Sequence, residues 1–428
     1  MRFSFSFLLL SLLKADFGVS QLLPNPVQTY FVPLPEDDLM FLFKTISSGL
    51  NPASSTPPAN GNVNTVLSIA IAANNTIIYY DHWEDGFESD VRLAAQSTTL
   101  IWGDGNLLNG IAPGTTDDIL RGGMAIVLEN NVPIPRNASQ VLFDGSDSIK
   151  SSLPIALSRF AYPDTPGSLM AGAVEVFNTG SWGRTFIAPV GQNTPSLTDA
   201  FEFTHMYIMA GEDNTIVFKN GIQIGSIPLN KGQSKSFAVN EGDNVTSNRP
   251  IQVDLIGADV NDNYELRWYA QVDFNDWTDE YVSPVAETVG NTGFWFYNPH
   301  ASPITITYEG GNLSPGSFQV LSKKSKFIPC LTTAGIDTIQ IGTLDTFANL
   351  INQRNFYSGV RFKGSDRFYA LSQTDADVNT ATVKGQVYDW GFPMIPTSRL
   401  TSQVLVGLGR GCTQDCDPAN ALREKKRA

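Results

Sequence analysis

Residues 206–225, MYIMAGEDNTIVFKNGIQIG, contain the pattern that decides the fold. Thr215–Phe218 is a β-branched and aromatic run typical of a strand, and Ile222 and Ile224 then alternate with polar residues. Asn220-Gly221 lies between the two runs, and a two-residue primed turn needs the positive φ that this pair adopts readily. The stretch therefore predicts a β-hairpin.

The same pattern recurs on both sides of this stretch. Thr76–Tyr79 precedes Asp85-Gly86, and Thr305–Tyr308 precedes Gly310-Gly311. These turn residues tolerate left-handed backbone, so each pair predicts a further hairpin turn.

Other motifs recur in the same order along the chain. We interpret the pattern as three diverged copies of one β unit, each about 100 residues long. The matching segments are Trp182–Val190 with Trp277–Val285, Thr246–Asn261 with Gly364–Asn379, and Ser151–Leu157 with Ser247–Val253.

One segment near the N-terminus predicts a helix. Pro35 followed by three acids suits a helix start, and Gly49 is suited to end the helix. Leu39, Phe43 and Ile46 form an apolar stripe between these two signals.

We predict an all-β fold of tandem β-sandwich-like units with one short N-terminal helix. The polar tail is either a terminus or a truncated continuation of the repeat. The predicted segments are a signal peptide at 1–20, the helix and a Pro-rich linker at 21–61, β unit 1 at 62–191, β unit 2 at 192–288, β unit 3 at 289–411 and the tail at 412–428.

The composition indicates a protein with packed cores and limits the kinds of partner it can bind. The chain has 428 residues, of which 42% are hydrophobic, so it holds enough apolar material for packed cores. Its formal net charge of −14 repels phosphate backbones, which argues against nucleic acid as a partner.

The first twenty residues have the features of a secretory leader. Arg2 supplies a positive charge, Phe5–Leu13 is apolar, and Gly18–Ser20 offers small residues for cleavage. This apolar run is too short to span a bilayer, and no later stretch reaches spanning length. We therefore predict a secreted, extracellular protein without a transmembrane segment.

Two further features fit this prediction. Three cysteines leave one unpaired if two are bonded, and the sequence leaves the pairing of Cys330, Cys412 and Cys416 open. Four Asn-x-Ser/Thr motifs are candidate glycosylation sites: Asn74, Asn137, Asn244 and Asn312.

The densest cluster of polar and aromatic residues is Tyr79–Asp90. Its carboxylates are candidate ligands for Ca²⁺, a cation that takes six to eight oxygens, and its aromatic and imidazole rings are candidates for ligand binding. The alternative is a solvated hairpin without a cofactor, in which the rings make cross-strand pairs. The candidate metal ligands are Asp81, Glu84, Asp85, Glu88 and Asp90, and the candidate ligand-binding residues are Tyr80, His82 and Trp83.

Catalytic motifs are sparse. The chain has three histidines, at positions 82, 205 and 300, and no Gly-x-Ser-x-Gly nucleophile turn. We therefore expect a protein that is not an enzyme. A pair of acids can converge from anywhere in a fold, so a secreted carbohydrate-active enzyme of the glycoside hydrolase type is the alternative.

The middle unit resembles a known family. Ala210–Val217, Pro228–Gln233 and Val245–Val253 are similar to signatures of the IgG Fc-binding protein N-terminal domain family, and Trp277–Val285 resembles its closing motif. The resemblance implies an extracellular β-rich binding or adhesion module. It gives no site residues that can be assigned in this chain.

Together, these observations predict a secreted, non-catalytic binding or adhesion module that recognises an extracellular protein or glycan. The alternatives are the carbohydrate-active enzyme and a purely structural matrix protein.

Overall fold

The structure is a computed structural model, and its regular secondary structure is predominantly β-strand. The predicted signal peptide, the polar tail, the three cysteines and Asn312 lie outside the described residues. The structure describes residues 23–49, 58–93, 98–165, 171–195, 200–260, 266–283, 293–310, 313–329, 359–374 and 390–399.

The predicted N-terminal helix is present as α1, Glu36–Ile46. It begins directly after Pro35, and its first turn carries three acids, which favour the positive end of the helix dipole. The predicted stripe of Leu39, Phe43 and Ile46 is buried. The helix ends at Ile46, where the backbone N–H of Ser47 bonds to the carbonyl of Phe43.

The strands fall into three groups, which we call modules 1, 2 and 3, and all their pairings are antiparallel. Module 1 has strands β1 Gln28–Phe31, β2 Val63–Ile71, β3 Ile78–Asp81, β4 Leu100–Trp102, β5 Ala125–Val132, β6 Ser148–Ser151, β7 Ile155–Pro163 and β8 Gly172–Val176. Module 2 has β9 Gly183–Ile187, β10 Phe203–Ala210, β11 Val217–Lys219, β12 Ile222–Gln223, β13 Ser234–Ala238, β14 Asn244–Ala258 and β15 Arg267–Ala270. Module 3 has β16 Thr278–Val282, β17 Gly293–Tyr297, β18 Ile304–Gly310, β19 Leu313–Val320, β20 Ser325–Pro329, β21 Val360–Thr374, β22 Trp390–Pro393 and the short β23 Ile395–Pro396, which pairs with β16.

Modules 2 and 3 have the same strand pairing. In module 2 the long strand β14 pairs through its first half with β9 and β11, and through its second half with β10 and β15. Strand β12 then pairs with β11, and β13 with β10. In module 3, β21 pairs in the same order with β16, β18, β17 and β22, while β19 and β20 take the places of β12 and β13.

Module 1 follows the same plan with its long strand broken in two. It forms two four-stranded sheets, β1-β6-β3-β4 and β5-β2-β7-β8. The break lies at residues 152–154. Strands β6 and β7 therefore correspond to the two halves of β14.

This pairing groups the chain differently from the predicted units. Strands β9 and β16 were assigned to the end of units 1 and 2, yet each pairs with the long strand of the module that follows it. Likewise, β1 precedes the predicted start of unit 1 at residue 62 but pairs with β6. The sequence motifs at β9 and β16 therefore mark the start of a module, because each strand pairs with a long strand that comes later in the chain.

The predicted turns had different outcomes. Asn220 and Gly221 have φ of 50° and 79° and join β11 to β12, which confirms the hairpin. Gly310, with φ of 106°, lies at the end of β18, which pairs with β19. Asp85-Gly86 does form a turn, but β3 pairs with β4 across residues 82–99, so the prediction of a tight hairpin there is wrong.

The apolar core continues from one module into the next. The core cluster of module 1 also contains Phe203, Ile256 and Trp268 of module 2. The core cluster of module 2 contains Trp295 and Tyr369 of module 3. Because side chains alternate across a strand, β10 and β17 bury one face in their own module and the other face in the preceding one.

Candidate functional site

The Tyr79–Asp90 segment leaves the sheet of module 1 at the end of β3 and turns back on itself. The buried carboxylate of Asp81 accepts hydrogen bonds from Thr99 Oγ1 at 3.0 Å and from the backbone N–H of Glu88 at 3.2 Å. Lys150 Nζ lies 3.8 Å from the same carboxylate. Asp81 therefore ties both ends of the long β3–β4 connection to the sheet.

The other predicted metal ligands have different partners. Glu84 pairs with Arg136, Asp85 accepts two hydrogen bonds from Thr98, and Asp90 pairs with Arg92. Among the described residues, no three of the five predicted carboxylates have ligand atoms within 4.8 Å of one another. One group in the described part of the chain could hold a metal ion: His82, Glu84 and Asp147 have ligand atoms within 4.8 Å of one another.

Two of the three predicted ligand-binding side chains are buried. Tyr80 has no exposed surface, and its hydroxyl donates to Asp147 Oδ2 at 2.7 Å. His82 is also buried, with Nδ1 2.9 Å from the carbonyl oxygen of Leu142 and 3.4 Å from Asp147 Oδ2. Trp83 is half-buried and lines a surface groove, so it is the one of the three placed for contact with a ligand.

A charged network lies beneath this segment, and sequence analysis missed most of it. Arg136 bridges Glu84 and Asp144, while Arg159 pairs with Glu36 at the start of α1. Asp147 accepts from the backbone N–H groups of Trp83 and Asp144. The network therefore connects the helix, the Tyr79–Asp90 segment and the turn before β6.

Burial changes the ionisation of two acids in this network. Desolvation, reinforced by the charges of Glu36 and Asp147, raises the pKa of Asp144 to about 8. Desolvation also raises the pKa of Asp147 to about 6, against the lowering effect of its hydrogen bond with His82. Burial alone would lower the pKa of His82, but its hydrogen bond to Asp147 and the nearby carboxylate charges raise it. The network holds protons that exposed acids would release.

The groove next to Trp83 has a volume of about 770 Å³ and lies between modules 1 and 2. Trp83 and Phe87 line it from module 1, and residues 224–235, which comprise the loop between β12 and β13 and the first two residues of β13, line it from module 2. The loop includes Ile227, whose exposed fraction is 79%. An apolar side chain this exposed at the rim of a groove is a feature of contact surfaces.

The two sides of the groove contact each other at its base. Lys231 Nζ lies 4.7 Å from the ring centroid of Phe87, within the range of a cation–π interaction. Gly232 has φ of 77°, and a Cβ atom there would lie 2.6 Å from the Phe87 ring, so the close approach requires glycine. Ser234 Oγ also donates to Asp38 of α1 at 2.6 Å.

The other predicted sites are on the surface where they are described. The side chains of Asn74, Asn137 and Asn244, three of the candidate glycosylation sites, are exposed.

Among the described helices, none is long and apolar enough to cross a membrane.

The comparisons with known proteins gave one match. The model of the family described as IgGFc binding protein matches residues 172–328. A search of curated proteins and a search of solved structures each found no match. The matched range begins at β8, includes all of module 2 and extends into β20 of module 3. It contains the groove loop 224–235 but not Trp83 or Phe87. The family model therefore matches the part of the chain that holds the motifs of the middle unit, consistent with the resemblance to an IgG Fc-binding protein-like family.

Proposed function

We propose that this chain is a non-catalytic extracellular module that binds a protein ligand in the groove between modules 1 and 2. The predicted leader at residues 1–20 would deliver it outside the cell. The family match supports an extracellular binding module as the general class.

The observation that carries the proposal is the composition of the groove. One wall belongs to the matched family segment and holds the Pro228–Gln233 motif, which is closed by a hydrogen bond from the Asn230 N–H to Gln233 Oε1 at 2.8 Å. The other wall is the Trp83–Phe87 side of module 1. Aromatic and apolar side chains at such a surface supply most of the binding energy in protein–protein contacts.

A glycan is the second candidate ligand, because Trp83 and Phe87 offer aromatic faces on which a sugar ring can pack. The two candidates differ in what they require of the partner. A protein ligand survives removal of its glycans, whereas a glycan ligand does not.

The test uses the whole chain immobilised on a sensor surface. An IgG Fc fragment and a panel of extracellular glycoproteins are passed over it, each before and after enzymatic deglycosylation, and the eluted proteins are weighed by mass spectrometry. We expect saturable binding of at least one protein, equal after deglycosylation, with the partner recovered intact.

Each other outcome contradicts the proposal in a different way. Binding that disappears on deglycosylation indicates a glycan ligand. A cleaved or trimmed partner indicates an enzyme, and the absence of binding to the whole panel supports the structural matrix protein.

A further inference from the structure

We propose that His82, Glu84 and Asp147 bind a transition-metal dication of the zinc or manganese type. The three side chains come from the β3–β4 connection and from the turn before β6, and their ligand atoms lie within 4.8 Å of one another. This set differs from the five carboxylates that the sequence suggested for calcium, because only Glu84 is common to both.

One ligand atom of this group lacks a hydrogen-bond partner. The Glu84 side chain is 2% exposed, and its Oε1 accepts from Arg136 and from the backbone N–H of Leu142. Its Oε2 is buried without a hydrogen-bond donor. An unsatisfied carboxylate oxygen in the interior is costly, and a cation would satisfy it.

The surrounding network has more carboxyl groups than guanidinium groups. Its buried carboxyl groups are Glu36, Glu84, Asp144 and Asp147, whereas its guanidinium groups are Arg136 and Arg159. A dication would supply positive charge at the position where Glu84 Oε2 lacks a partner.

The donor set indicates the class of metal. One imidazole nitrogen with carboxylate oxygens suits zinc or manganese, whereas calcium prefers six to eight oxygens. His82 Nδ1 donates its N–H to the Leu142 carbonyl oxygen at 2.9 Å, which leaves Nε2 as the nitrogen that would bind the metal.

Hydrogen bonds from neighbouring groups hold Asp147 in place. Asp147 accepts from the Tyr80 hydroxyl at 2.7 Å and from the Asp144 N–H at 3.0 Å, which fixes its carboxylate. It also accepts from the Trp83 N–H at 3.2 Å. Since His82 and Glu84 flank Trp83 in the chain, the bound metal would fix the wall of the groove on which the proposed function depends.

The test titrates chelator-treated whole chain with ZnCl₂, MnCl₂ and CaCl₂ by calorimetry and by thermal melting. We expect one zinc or manganese ion per chain, a raised Tm, and weaker or no response to calcium. Glu84→Gln and His82→Gln should each weaken the affinity by at least about tenfold. Glu88→Gln, the same change in the same segment but outside the group, should leave the affinity within about twofold of the wild type.

A measurement on the unmutated chain keeps the test independent of variant folding. The chain has three histidines, so the imidazole ¹⁵N resonances of His82, His205 and His300 can be followed separately during a zinc titration. We expect the His82 resonances alone to shift. Absent heat with both transition metals, unchanged affinity in E84Q, or shifts at another histidine would each overturn the site, while leaving the proposed protein binding to its own test.

Discussion

At the scale of a residue, the burial of Asp254 makes the stability of the fold depend on pH. Its carboxyl is fully buried in β14 and accepts from the Trp268 indole N–H at 3.0 Å. Desolvation raises its pKa to about 7, against the lowering effects of the Trp268 hydrogen bond and of Arg159. Between about pH 4 and pH 7 the unfolded chain loses this proton while the folded chain keeps it, so stability falls as the pH rises.

We predict that Asp254→Asn reduces this loss. The asparagine carbonyl can still accept from Trp268 but carries no charge to bury. Relative to the wild type, the variant should gain on the order of 2–4 kcal/mol between pH 4 and pH 8, measured by urea unfolding at each pH. A gain that is the same at both pH values would contradict the assignment.

The two tryptophans that open modules 2 and 3 occupy equivalent positions. Each follows a single turn of 3₁₀ helix whose first residue is preceded by a capping side chain, Asn178 or Asp273. Trp277 is 6% exposed and packs 4.8 Å from the Tyr369 ring, whereas Trp182 is half-buried and packs 5.8 Å from the Phe31 ring.

We expect this difference in burial to appear in stability. Trp277→Ala should lower the free energy of unfolding by about 3–5 kcal/mol, and Trp182→Ala by about 2 kcal/mol, in denaturant titrations. An equal loss of unfolding free energy in the two variants, or a larger loss for Trp182→Ala, would contradict the difference in burial between the two side chains.

The sequence pointed to the segment of the candidate site but not to its partners. Tyr79–Asp90 stood out because of its composition, and Trp83 and Glu84 do lie at the groove and in the charged network. Asp144, Asp147 and Arg136 are more than fifty residues further along, and nothing local indicates that they meet this segment. The two acids flanking Gly145-Ser146 before a buried strand were the available signal.

At the scale of elements, the long strands explain why the sequence motifs repeat. In β14, Thr246 faces Thr185 of β9 and Ile251 faces Gly183. A step of five residues along β14 therefore corresponds to a step of two along β9, which is a bulge. In β21, Lys363 and Phe368 face Glu280 and Thr278 of β16 with the same shift. A bulge at one place constrains the residues around it, which accounts for the matching segments.

Local turn chemistry was predictable, whereas strand pairing was not. Asn220-Gly221 sets its own backbone conformation, so the hairpin follows from two residues. The pairing of β9 with β14 depends on contacts across more than fifty residues, and the motif at Trp182 carries no information about direction. Strands β9 and β16 consequently lie at the ends of predicted units 1 and 2 in the sequence but pair within the modules that follow.

Helix α1 is attached to module 1 through Glu36. The buried carboxylate pairs with Arg159 of β7 and accepts from the Gly145 N–H at 2.9 Å.

We predict that Glu36→Gln lowers the free energy of unfolding by about 3 kcal/mol, because it leaves the Arg159 charge buried without its partner. Asp37→Asn, at an exposed acid in the same turn, is the matched control and should change stability by less than about 1 kcal/mol. Similar costs for the two variants in denaturant titrations would contradict the role of the ion pair.

At the scale of the whole molecule, one strand near the end of each module packs against its counterpart in the next module. Strand β15 contacts both β8 and β22. A Cβ atom at Gly172 of β8 would lie 2.3 Å from the Leu266 side chain, and one at Gly391 of β22 would lie 2.3 Å from the Tyr269 hydroxyl. Glycine at both places allows the modules to approach closely enough to share their cores.

We predict that Gly172→Val uncouples modules 1 and 2. The added side chain forces Leu266 and Trp268 away from β8, so one cooperative unfolding transition in calorimetry should divide into two. Ala173→Val, whose side chain is exposed on the same strand, is the control and should retain a single transition. A single transition at an unchanged temperature in the Gly172 variant would show that the modules do not depend on this contact.

The most direct test of the account compares two exposed apolar residues of the whole chain. Ile227 lies on the rim of the groove, and Leu108, 96% exposed in module 1, lies outside it. The measurement is the Kd of wild type, Ile227→Asp and Leu108→Asp for the protein that binds in the sensor panel. We predict at least about tenfold weaker binding for I227D and no more than about twofold weaker binding for L108D. Equal affinities for the two variants would contradict the claim that the groove between modules 1 and 2 is the binding surface.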